Sequence, residues 1–138
     1  MDPRYTHFIW HAGSKDAAGA SVSSTLPVRE RRLRQVAEII DSEPSFSIRD
    51  LALKVSLSPA HLQRLFKQQT GTQLGAFLAE RRLQKAAQLL TISNLSIKEI
   101  AHTVGYRHHS SFVRAFQRRF AKVPKQYRAQ PDSRGAGA

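Results

Sequence analysis

The chain has 138 residues, enough for one domain or two very small ones sharing a core. Lys and Arg number 22 against 10 Asp and Glu, a net +12 with a pI near 11.1, so a polyanionic partner is the first expectation. The absence of cysteine excludes disulfide frameworks, thiolate metal sites and cysteine nucleophiles, and no apolar run approaches the roughly 20 residues of a membrane span.

Residues 1–27 mix polar residues with Ala, Gly and Ser and read as a flexible leader, with Phe8, Ile9 and Trp10 as its one apolar cluster. Pro27 can start a helix in which Leu33, Val36, Ala37 and Ile40 recur at helical spacing before Glu43-Pro44 ends it. From Gln73 to Thr91 an apolar helical pattern runs on, with only Gly75 near its start as a breaker, so one long helix is expected. Strand patterns are absent, and residues 130–138 read as a flexible tail. The expected fold is all-α, with about seven helices. Residues 29 to 128 hold 19 basic and 7 acidic residues, the whole of the excess charge, so the charge belongs to the folded part.

A repeat decides the architecture. FSIRDLALKV (46–55) lies over LSIKEIAHTV (95–104) at an offset of 49, matching Ser47 with Ser96, Asp50 with Glu99, Ala52 with Ala101 and Val55 with Val104. The second copy then gains one residue, and at an offset of 50 Leu62 matches Phe112, Arg64 matches Arg114, Phe66 matches Phe116 and Phe77 matches Tyr127. Ser47 with Asp50, and Ser96 with Glu99, have the spacing of capping boxes. A short helix with an inward alanine follows, then a tight turn, carrying Gly105 in the second copy and the shorter Ser56-Leu57 in the first. A second helix begins next, with Ser58 as N-cap and Pro59 at N1 in the first copy. This is helix-turn-helix grammar, written twice and joined by a long bridging helix.

The chain resembles the DNA-binding domain of the AraC/XylS family of bacterial transcription regulators. The carriers are SPAHLQRLFKQQTG (58–71), AERRLQKAAQLL (79–90) and SIKEIAHTVGYRHHSSFVRAFQRRFAKVPKQYR (96–128), closing on Pro124, Tyr127 and Arg128. The resemblance implies a double helix-turn-helix domain over residues 28–129: a first subdomain at 28–71, a bridging helix at 73–91 and a second subdomain at 95–129. It implies recognition helices in successive major grooves, ~34 Å apart, on a site read by a monomer. It further implies a promoter DNA partner, RNA polymerase as a contact, and activation more often than repression. Three positions depart from the family pattern: His108 replaces a capping Asp or Ser, Ala121 a Gly and Val123 a Thr.

In the first recognition helix Leu62, Leu65 and Phe66 are spaced to face a core. The family pattern places base contacts at Ala60, Gln63 and Arg64, and Arg suits guanine while Gln suits adenine. In the second helix Phe112, Ala115 and Phe116 face inward, leaving His109, Ser110, Val113 and Arg114 as the matching base-reading front. Lys67, Arg118, Arg119, Lys122 and Lys125 are expected on DNA phosphates, and Arg128 on phosphate or in solvent. Arg81, Arg82 and Lys85 of the bridging helix read as a solvated face.

His108 and His109 invite a metal or catalytic reading, but adjacent residues stand ~100° apart on a helix and do not converge on one ion. No nucleophile, base and orienting group come together, so neither enzyme activity, metal nor cofactor is expected. The reading is a cytoplasmic, sequence-specific DNA-binding regulator without a membrane partner. A nonspecific architectural protein using only its charge is the alternative. With 28 residues ahead of the first domain helix, the chain is either a single-domain regulator or a truncated one that has lost its sensor domain.

Overall fold

The computed structural model describes residues 28–130; the expected leader at 1–27, with Phe8, Ile9, Trp10 and Pro27, and the chain beyond Gln130 lie outside them. The described residues form seven helices and no strand: α1 (Val28–Ser42), α2 (Ile48–Lys54), α3 (Pro59–Thr70), α4 (Leu74–Ile92), α5 (Ile97–Thr103), α6 (His109–Phe120) and α7 (Pro124–Ala129). Two compact units divide between Ala79 and Glu80, inside α4.

The first unit is built on the apolar stripe of α1. Leu33, Val36 and Ile40 meet Leu51 and Ala52 of α2, Leu62 and Phe66 of α3, and Leu74 and Phe77 at the start of α4. Pro44 follows the last turn of α1 and is itself buried, as expected of a residue that stops a helix and turns the chain onto the core. The second unit repeats the scheme with Leu83, Ala86 and Leu90 of α4, Ile100 of α5, and Phe112 and Phe116 of α6. Even the ring contacts repeat. Phe66 stands 5.4 Å from Phe77, and Phe116 stands 5.3 Å from Tyr127, the pair expected to match them.

Both capping boxes form. The Asp50 and Glu99 amides donate to Ser47 and Ser96 Oγ, each at 3.0 Å. The reciprocal bond to Glu99 Oε1 is 2.8 Å against 3.5 Å to Asp50 Oδ2, because glutamate has one more methylene with which to reach back. Those bonds to Ser96, first its backbone N–H and then its hydroxyl, favour the charged carboxylate and lower the Glu99 pKa. The box therefore contributes fully at neutral pH and is lost as pH falls through the lowered Glu99 pKa. Ser58 Oγ accepts the His61 amide at 3.1 Å and caps α3.

The second copy departs where its sequence does. His108 has the extended backbone of an N-cap, but its side chain makes no capping bond to α6, and Val123 likewise makes none to α7. Helix α3 ends on Gly71 at φ 75°, and α6 ends on Ala121 at φ 63°, with matching 2.8 Å bonds to Lys67 O and Gln117 O. A Cβ placed on Gly71 would meet nothing within 4 Å, so the cost of alanine at such a corner is backbone strain, with no crowding. Ala121→Gly is accordingly expected to stabilise the protein by about 0.5–1 kcal/mol, the relief of strain being partly offset by a more flexible unfolded chain. A thermal melt checks this, and an unchanged or lower midpoint contradicts it.

Arg128, read from the sequence as a phosphate contact or a solvated charge, is half-buried in the second unit. Its guanidinium turns back onto the end of α4, donating from Nε to Leu90 O at 3.1 Å and from Nη2 to Ser93 O at 3.3 Å. The closing Pro-x-x-Tyr-Arg thus divides its labour within the second unit: Pro124 starts α7, Tyr127 fills the core and Arg128 satisfies carbonyls at a helix end. Gln130, assigned to the tail from sequence, still donates its amide to Gln126 O at 2.8 Å and closes α7.

Candidate nucleic-acid interface

Each helix-turn-helix presents its second helix outward because its first helix and the long helix take the apolar face. In α3, Leu62, Leu65 and Phe66 are buried, which leaves Ala60, Gln63, Arg64 and Lys67 exposed on the opposite face. In α6, Phe112 and Phe116 are buried, and His109, Ser110, Arg114 and Arg118 are exposed. Both helices are 12 residues long, so Arg64 and Arg114 occupy the same station, the sixth residue, in each.

The remaining sequence candidates are placed less uniformly. Val113 is half-buried and packs against the second core, whereas its counterpart Gln63 is exposed, because an apolar side chain at that station turns toward the core edge. Ala115, expected to face inward, is half-buried against the same core. Lys67 Nζ donates to Gly71 O at 3.2 Å, and Lys122 Nζ donates to Gln130 O at 2.8 Å. Lys125 is exposed on α7. Arg119 is held within the protein by a bidentate pair with Glu80 of α4.

On α4, the solvated face expected for Arg81, Arg82 and Lys85 is instead half-buried at all three residues. Burial lowers the Arg82 pKa, partly countered by the charge interaction with Tyr106, whose own pKa burial raises.

Beside the leading end of α6 lies a hollow of about 390 Å³ between α5 and the turn, whose polar lining includes Lys98, Glu99, His102, Arg107 and His109. Leu95, Ala101 and Tyr106 also line it. Lys98 and Arg107 were not among the sequence candidates. The repeat did contain a signal for Lys98: Arg49 stands at its position in the first copy, and both are exposed on the second residue of their helix. A cation therefore recurs, exposed, at the same station of both copies. Among the described residues no cluster of three or more His, Asp or Glu side chains could hold a metal ion, and no helix is long and apolar enough to cross a membrane.

A helix-turn-helix domain family matches residues 51–130. The right origin-binding protein of Escherichia coli (strain K12) is 38% identical over 86 residues, covering 62% of this chain and 30% of that protein. The chain spans about a third of the length of the curated relatives it matches, 30% in that case and 36% for the Msm operon regulatory protein of Streptococcus mutans. Among solved structures, a transcriptional regulator of Chromobacterium violaceum described as an AraC-type DNA-binding-domain protein superposes with a TM-score of 0.61 at 30% identity, over 75% of this chain and 96% of that one. The DNA-binding domain of AdpA, a global transcriptional factor solved in complex with a target DNA, superposes with a TM-score of 0.63 at 26% identity, over 78% and 97%.

Proposed function

Because the chain belongs to the AraC/XylS family of transcription regulators, we propose that it binds double-stranded DNA at promoter sites and reads base sequence with α3 and α6. One observation carries the reading: Arg64 and Arg114 stand exposed at the same station of two recognition helices whose apolar faces are consumed by separate cores. An arginine so placed can make the two-pronged bond to guanine O6 and N7, and Gln63 can do the same for adenine.

His109 and Ser110 complete the front of α6, Ala60 offers a methyl contact on α3, and Val113 contributes only the edge that the core leaves accessible. Lys67, Arg118, Lys122 and Lys125 serve the phosphate backbone, Lys67 and Lys122 by exchanging a carbonyl partner for a phosphate oxygen. A monomer reads an asymmetric site, since the two recognition helices differ in sequence, and activation proceeds by contact with RNA polymerase in the cytoplasm.

Selection from randomised duplexes tests the proposal. The expected result is a motif of two distinct halves, bound at least ~1000-fold more tightly than random DNA at the same salt concentration. Recovery of no motif despite tight, salt-sensitive binding would establish a nonspecific architectural protein in its place.

A further inference from the structure

We propose that Arg119 serves sequence recognition through Glu80, as a positioning residue for α6, and not by contacting a DNA phosphate. The inference rests on the reading of α6 as a recognition helix. Arg119 lies in the last turn of α6, and Glu80 lies on α4, 39 residues earlier in the chain. Arg119 Nε donates to Glu80 Oε1 at 2.8 Å and to Oε2 at 3.0 Å, and Nη2 donates to Oε2 at 2.9 Å. A planar guanidinium engaged on two edges of a carboxylate fixes direction as well as distance, which a lysine could not do.

The acceptor is itself held. Gln84 Nε2 donates to Glu80 Oε2 at 2.9 Å, and Gln84 Oε1 accepts from Arg81 Nη1 at 3.1 Å, so two consecutive bonds along α4 lead to the fork that holds the recognition helix. Behind the fork, the Arg119 guanidinium carbon sits 4.7 Å from the centre of the Phe120 ring, which packs 4.5 Å from Phe116 and 5.4 Å from Tyr127. The hydrogen bonds to Glu80 raise the Arg119 pKa.

This strap holds the end of α6 opposite to the uncapped His108. The Arg119 side chain is 38% exposed and that of Glu80 14%, so solvent screens the pair and its share in overall stability is small. Its geometric effect is larger. A base contact made by two parallel hydrogen bonds tolerates little rotation of the helix that carries it.

Glu80→Gln separates the two roles by sign. A positioning pair predicts that Glu80→Gln weakens the selected site about tenfold, leaves random DNA unweakened and keeps the salt dependence. A phosphate-contacting Arg119 predicts that the same substitution strengthens both, since it frees a cation and removes a carboxylate beside DNA. Arg119→Gln should lose the same tenfold on the selected site, and the double variant should lose no more than either single one. Were Arg119 on a phosphate, its loss would weaken selected and random DNA equally and reduce the salt slope by about 0.9.

Circular dichroism melts of each full-length variant fix an assay temperature at which it is folded; should one variant not fold, the other carries the test. A strengthened Glu80→Gln protein, or an Arg119→Gln protein with the reduced slope, overturns this inference and leaves the functional reading standing. A wild-type protein without sequence preference overturns both.

Discussion

Replacing Phe116 by alanine is expected to cost about 3–5 kcal/mol and to unfold the second unit. Its ring is fully buried and touches Phe112, Phe120 and Tyr127 at centroid distances of 5.7, 4.5 and 5.3 Å. It therefore joins α6 to α7 and to the rest of the second core, and little can collapse into the space it leaves. At roughly 0.05–0.15 kcal/mol per residue, a unit of about fifty residues is stable by only about 2.5–7.5 kcal/mol, so the loss is comparable to all it has. The first core shares no residue with the second. Amide NMR should accordingly show the signals of residues beyond Glu80 collapsing while those of α1 to α3 persist. Uniform survival, or uniform loss, would mean that the two cores are not separate thermodynamic units.

The second large effect concerns DNA. Arg114→Ala is expected to weaken the selected site by about 1–3 kcal/mol and to relax base choice at one position. Arg114 is exposed and away from both buried rings of α6, so the melting temperature should barely move. Arg64→Ala should relax a different position, in the other half of the motif. Equal weakening of selected and random DNA by Arg114→Ala would assign this arginine to the phosphate backbone.

These expectations rest on features of very different visibility in the sequence. The repeat, the capping boxes, Ser58 as N-cap and the span of α4 were legible because each is decided within a few residues of chain. The exposed faces of α3 and α6 were legible for the same reason, since 3.6-residue periodicity separates Arg64 and Arg114 from the buried positions beside them. Val113 shows the limit: periodicity gives a direction, but how deeply a side chain sinks depends on its neighbours across the core. The partners of Arg128 and Arg119 were not legible because they lie 38 and 39 residues away. A run of basic residues at the end of a chain says nothing about which of them turns inward.

Left-handed backbone at Ser56 was also unforeseen. The turn glycine of the second copy, Gly105, has φ 107°, and the first copy reaches the left-handed region at the same station with serine, at φ 59°. The first copy thus keeps glycine at the end of its recognition helix and spends a serine at the turn; the second keeps glycine at the turn and spends an alanine at the end. Each half has a poorly fitting residue at one of its two corners, and not the same corner. The path of the chain is common to both halves although the residues at its corners differ. A protein carrying Ser56→Gly together with Ala121→Gly would have four easy corners, and that reserve is what a laboratory evolving new base preferences on α3 and α6 would need, since most changes to a reading surface erode stability before they improve it.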